Sequence, residues 1–190
     1  YNYNGTLARQ ITRGEWNVSK FLGYDAQSGS YFYESNQEGA LYKAIYKMNA
    51  KGVETKLSTL KGTNTAEFNP SCTYFINRYS SVDEPLVVTV CDARGKTLRT
   101  LEDNTALKAL AAQSDLPRKE FFTCANAAGD PMNGYILKPS NFDPSKRYPV
   151  VMSQYSGPGS QSVLDNWKVD WEYYLANQGF IVACVDGRGT

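Results

Sequence analysis

The chain has 190 residues, with 20 Lys+Arg against 19 Asp+Glu, a net charge of +1 and no His. So even a balance leaves no electrostatic footprint for nucleic acid or an anionic membrane. Without His, neither a complete Ser–His–Asp system nor a His-liganded metal site fits in this chain.

No apolar run approaches the roughly 18 residues of a membrane span. The opening residues, YNYNGTLARQ, have no basic stretch leading into an apolar core, so no signal peptide is expected. The 14 tyrosines suit half-buried strands, and the first half bears this out in a repeat. Tyr31-Phe32-Tyr33 returns 43 residues on as Tyr74-Phe75-Ile76, Ile45-Tyr46-Lys47 as Val88-Thr89-Val90, and Asn49–Gly52 as Asp92–Gly95. Each unit reads as strand, loop, strand, a Gly-containing hairpin turn and a last strand, VETKLS or KTLRTLE. Antiparallel units at this period are the mark of propeller blades.

Cys72, Cys91, Cys124 and Cys184 show no C-x-x-C spacing, so no zinc site is expected. Cys184, inside FIVACV, reads as a small buried hydrophobe. A Cys72–Cys91 disulfide is an open alternative, and the compartment stays open with it.

The pattern changes after about residue 104. A short helix is predicted over Thr105 to about Gln113, capped by Asp103 or Asn104, with Leu107, Leu110 and Ala111 on one face and Pro117 ending it. GYILKP (134–139) is a short strand, NFDPSKRYP (141–149) a turn, and VVMSQY (150–155) a second strand. Leu164, Trp167, Trp171, Tyr174 and Leu175 form a stripe at helical period, with Ser162 or Asp165 as cap and Gly179 as the C′ glycine. FIVACV (180–185) is a buried strand. Strand, helix, strand makes a βαβ unit with parallel strands covered on both faces. Chemistry in such sheets sits beyond the carboxyl ends of the strands, here Tyr155-Ser156-Gly157 and Asp186-Gly187-Arg188-Gly189.

At that edge Ser156 lacks the Gly two residues before it that a nucleophile elbow requires, and no base is present. It reads as a turn residue. Tyr155 is either a packed tyrosine or a neutral phenol that donates a hydrogen bond to a developing oxyanion. DGRGT lacks both phosphate-loop patterns, so Arg188 reads as half of a structural ion pair.

Taken together, RYPVVMSQYSGPGSQSV and NWKVDWEYYLANQGFIVACVDGRGT resemble the start of the catalytic domain of dipeptidyl peptidase IV-type serine peptidases of the prolyl oligopeptidase family. ITRGEWNV, EDNTALKALAAQSDLP and GYILKPSNFDPSKRYP fit the same family in order. The resemblance implies a β-propeller fragment of two antiparallel blades (1–104), a connecting helix and linker (105–117), and the N-terminal βαβ part of an α/β-hydrolase domain (118–190). It implies removal of N-terminal dipeptides after Pro or Ala, a peptide substrate with a free N-terminus, and no cofactor or metal. It also suggests an exported parent, periplasmic or at the cell surface, that forms a homodimer.

In such chains the catalytic Ser, Asp and His come later and the paired glutamates that hold the substrate's amino terminus come earlier, so the fragment itself is expected to be inactive. Tyr155 matches the tyrosine of the family's Y-x-G-P motif, which donates its hydroxyl to the oxyanion alongside the backbone N–H after the catalytic Ser. Gly159 stands where some members have Cys, and Ser153 and Gln154 differ from other members as well; none of these removes the hydroxyl. The alternatives are a prolyl tripeptidyl or acylaminoacyl peptidase of the same family, a catalytically dead interaction protein that keeps the fold, and a plain propeller binding module.

Overall fold

In the computed structural model, which describes residues Tyr1–Thr190, the chain forms two units: Tyr1–Tyr79 with Val88–Leu101, and Ser80–Val87 with Glu102–Thr190. The first holds one four-stranded sheet and most of a second. Strands β1 (Val18–Asp25), β2 (Ser30–Ser35), β3 (Ala44–Met48) and β4 (Glu54–Lys56) pair in sequence order, all antiparallel. Strands β5 (Thr63–Phe68), β6 (Tyr74–Ser81), β7 (Glu84–Asp92) and β8 (Thr97–Glu102) do the same as a second meander. The repeat therefore maps β2, β3 and β4 onto β6, β7 and β8. Sequence reasoning missed the first strand of each sheet. VSKFLGYD and TNTAEF are mostly polar or exposed, and show little of the apolar alternation that marks the others.

The repeated turn is the same object twice. Asn49 Oδ1 accepts from the N–H groups of Lys51 and Val53, both at 2.9 Å. Asp92 Oδ1 accepts from those of Arg94 at 2.8 Å and Lys96 at 3.0 Å. A side chain that mimics a backbone acceptor closes the loop, and a glycine with positive φ (Gly52 +80°, Gly95 +85°) completes it. Gly95 is doubly required, because a Cβ there would lie 2.3 Å from the Leu57 carbonyl oxygen.

One apolar core joins residues of both meanders: Phe32, Ile45 and Leu57 with Ala66, Cys72, Phe75 and Cys91. Phe68 bridges them, its ring centroid 4.5 Å from that of Phe32 and 4.7 Å from that of Phe75. Cys72 and Cys91 sit in this core as free thiols, so the disulfide alternative falls away. The opposite face of β2 and β3 buries Tyr33, Ala44, Tyr46 and Met48.

The second unit carries a mixed sheet in the order β11-β12-β10-β9, made of β9 (Lys119–Ala125), β10 (Pro131–Leu137), β11 (Val150–Ser153) and β12 (Ile181–Val185). Only β11 and β12 are parallel, with helix α2 (Trp171–Asn177) between them in the chain, as a βαβ connection requires. Tyr173 and Ala176 of α2 pack on Leu137 and Val182.

Four expectations need correction here. The helix does not begin near residue 164, because the N–H groups of that segment are bonded elsewhere. Those of Ser162 and Val163 go to Asp186, and that of Trp167 to Ser80 Oγ. Asp170 is the real cap, accepting from the Glu172 N–H at 3.1 Å. The buried face of α2 is Glu172, Tyr173 and Ala176, whereas Trp171 and Tyr174 are exposed. The parallel strands are not both covered. β12 is buried, but β11 is the sheet's edge strand and leaves Val150 and Met152 open.

Lastly, helix α1 spans Thr105–Gln113, the predicted bounds, yet Leu107 and Leu110 face outward. The side that faces protein is Lys108, Ala111 and Ala112, which line a cavity of about 330 Å³ with Pro85, Leu116 and Tyr173. Asn104 occupies the cap position in a left-handed conformation without a side-chain cap bond, its Nδ2 donating to the Leu86 carbonyl, and Asp103 Oδ1 accepts from the Thr105 N–H instead.

Candidate functional site

The two carboxyl-end loops of the parallel pair lie against each other, and Asp186 laces them. Its carboxylate accepts from the Ser162 N–H with both oxygens, at 2.9 and 3.2 Å, and from the Val163 N–H with Oδ2 at 2.8 Å. The Gly159 N–H donates to the Gly189 carbonyl at 2.9 Å, and the Thr190 hydroxyl to the Gly187 carbonyl at 2.8 Å. Val163, just beyond the laced turn, is fully buried and anchors it. Sequence reasoning placed Asp186 at this edge without giving it a task. The available signal was a carboxylate directly after a buried strand, opposite a turn rich in unpaired backbone N–H groups.

Ser156 is a turn residue here, its hydroxyl accepting from Gln154 Nε2 at 2.9 Å. Arg188 pairs with Asp130 at 3.3 Å, the structural ion pair expected of it. The pair is largely solvent-exposed and so contributes little to stability.

Tyr155 stands two residues past the end of β11 and is 70% exposed. Its ring lies over the backbone of Gly157, and its hydroxyl has no partner within the chain. An exposed phenol held by its ring, with its donor free, can offer one hydrogen bond to an acceptor brought to this edge.

Beneath the edge lies a buried polar cluster that sequence reasoning missed. Tyr135 on β10 donates to both carboxylate oxygens of Glu172 on α2, at 2.8 and 2.7 Å. Lys119 on β9 is buried, with its ammonium 4.1 Å from the Tyr135 ring centroid. Burial holds the Lys119 pKa below its usual range, opposed by the negative charge of Glu172. Burial, then the Glu172 bond, pushes the Tyr135 hydroxyl up, and burial pushes that of Tyr173 to about 12. Burial likewise raises the Cys184 thiol, which sits as the inert small hydrophobe expected.

Comparison with known proteins sets this geometry in context. Residues 1–86 match the family described as the dipeptidyl peptidase IV (DPP IV) N-terminal region. A probable dipeptidyl-aminopeptidase B of Sclerotinia sclerotiorum is 30% identical over 187 residues, 95% of this chain and 20% of that protein. A probable dipeptidyl peptidase 4 of Aspergillus clavatus is 29% identical, over 95% of this chain and 24% of its own length. The crystal structure of Porphyromonas gingivalis dipeptidyl peptidase 4 superposes with a TM-score of 0.94 at 49% identity, covering 100% of this chain and 27% of that one. The chain thus spans a fifth to roughly a quarter of the length of the proteins it resembles.

Proposed function

We propose that this dipeptidyl peptidase IV-like chain is part of a serine exopeptidase that removes N-terminal dipeptides, preferentially after Pro or Ala, with Tyr155 as one donor of its oxyanion hole. On this reading residues 1–104 are propeller blades, 105–117 a connector, and 118–190 the first βαβ part of an α/β-hydrolase domain. The chain alone is inactive, because the nucleophile and its base belong to other parts of the parent.

The chemistry follows from where charge develops. A serine hydroxyl attacks the scissile carbonyl carbon, its proton passing to the general base. The carbonyl π pair becomes an oxyanion, which accepts from the Tyr155 hydroxyl. Collapse restores the carbonyl and breaks the C–N bond, the amine leaving with the proton from the base; water then hydrolyses the acyl-enzyme. A neutral phenol suits this task, since its O–H dipole gains more against a full oxyanion than against the ground-state carbonyl.

The observation that carries the reading is Tyr155 itself: a free phenol at the carboxyl end of a parallel strand, in a Y-x-G-P sequence within a chain that resembles dipeptidyl peptidases from end to end. A panel of chromogenic substrates tests it on the full-length parent. X-Pro and X-Ala dipeptides with a free amino terminus are expected to be cleaved, and their N-acetylated or tripeptidyl counterparts at least about tenfold more slowly. Preference for the tripeptides or for the acetylated substrates would replace the dipeptidyl assignment, and no cleavage of any would indicate an interaction protein that keeps the fold.

A further inference from the structure

We infer that Gly157 is a positioning residue for Tyr155, acting by the absence of a side chain. The inference rests on the oxyanion role proposed for Tyr155. A Cβ built on Gly157 would lie 2.9 Å from Cε1 and 3.3 Å from Cζ of the Tyr155 ring, and 3.2 Å from Ser160 Oγ. The first of these is closer than carbon atoms approach without displacement, and Cζ is the carbon that carries the hydroxyl. The φ of Gly157 is not among the positive values that favour glycine, so its backbone alone would accept alanine. What excludes a side chain is the aromatic ring.

The ring is also the part that yields. The Gly157 carbonyl accepts from both the N–H and the hydroxyl of Ser160, which closes the turn over residues 157–160. That turn is tied at Gly159 to the Gly189 carbonyl and beyond it, through Ser162 and Val163, to Asp186. Tyr155, by contrast, is 70% exposed. An added methyl group therefore swings the phenol off its seat and leaves the backbone in place. Since an oxyanion donor must sit about 2.7–3.1 Å from its acceptor, a ring shift of about an ångström removes most of its contribution. Gly157→Ala is thus a lesion of catalysis and not of folding.

The test is a double-mutant cycle in the full-length parent, scored on kcat and KM with a dipeptidyl substrate. Gly157→Ala is expected to lower kcat by about 10-fold to 100-fold with KM within about twofold. In the Tyr155→Phe background, where there is no hydroxyl left to misplace, the same substitution is expected to cost less than about twofold. Gly187→Ala on the neighbouring loop, where a Cβ would meet only the Ser156 side chain at ordinary distances, Oγ at 3.5 Å and Cβ at 3.9 Å, is expected to be silent. Thermal melting of each variant within a few degrees of the parent separates positioning from unfolding, and Gly157→Ser, which carries the same Cβ, gives a second reading should the alanine variant fold poorly. An equal loss in both backgrounds, or no loss in the parent, overturns the role of Gly157. A Tyr155→Phe enzyme as active as the parent overturns instead the reading on which it rests.

Discussion

Tyr155→Phe in the full-length parent lowers kcat by about 10²–10³-fold and leaves KM nearly unchanged. The magnitude is that of one oxyanion donor removed from a preorganised site, and the split between the constants follows from when the bond matters. A ground-state carbonyl draws little from the phenol, whereas the tetrahedral oxyanion carries a full charge toward it. The substitution removes a single oxygen atom from a ring that is 70% exposed, so it leaves no cavity and no orphaned partner. Folding is therefore unaffected, which makes the kinetic loss interpretable. A fall of less than about threefold would take Tyr155 out of the mechanism.

The second large effect belongs to the buried cluster. Glu172→Ala is expected to cost about 3–5 kcal/mol of local stability, the range for removing one partner and leaving a buried charge uncompensated. The carboxylate has two tasks: it accepts the Tyr135 hydroxyl with both oxygens, and among the negative charges it acts most strongly on the buried Lys119 ammonium. Tyr135→Phe removes only the hydrogen bond and should cost about 1–3 kcal/mol. Lys119→Met in the Glu172→Ala background should recover part of the loss by removing the orphaned charge. The readout is the opening free energy from amide hydrogen exchange at β10 and β12 in the full-length protein, which isolates this sheet from the rest of the chain. Should Glu172→Ala cost no more than Tyr135→Phe, the charge of Glu172 is not what stabilises buried Lys119.

Much of the fold was legible wherever the physics is local. The turns Asn49–Gly52 and Asp92–Gly95 announce themselves, because an Asx acceptor and a glycine are needed at fixed spacing. A third copy, Asn126-Ala127-Ala128-Gly129, closes the β9–β10 hairpin with the same bonds, the Ala128 and Asp130 N–H groups on Asn126 Oδ1, both at 2.9 Å. It carries the same Asx and glycine at the same spacing, outside the repeat. Helix α1 was found with its bounds, yet its inner face was misassigned. Two exposed leucines suggested a core side, while the observed contact is made by small alanines and a paired lysine.

Where tertiary bonds decide, the sequence misled. Leu164, Trp167 and Trp171 share a helical period, but the N–H groups of Ser162 and Val163 just before them are bonded to Asp186 and that of Trp167 to Ser80, partners distant in the chain. The same holds for the site. Tyr155 was identifiable from motif and strand end. Asp186 as the lace and Gly157 as the seat depend on distances across two loops, which no spacing encodes.

The most direct test of the account is a structure of the full-length enzyme with a tetrahedral adduct, formed by a dipeptide aldehyde ending in proline on its serine. The expected result places the Tyr155 hydroxyl about 2.7–3.1 Å from the adduct oxygen, with the ring still seated over Gly157. A Tyr155 hydroxyl turned to solvent, with that oxygen held by other donors alone, would contradict it.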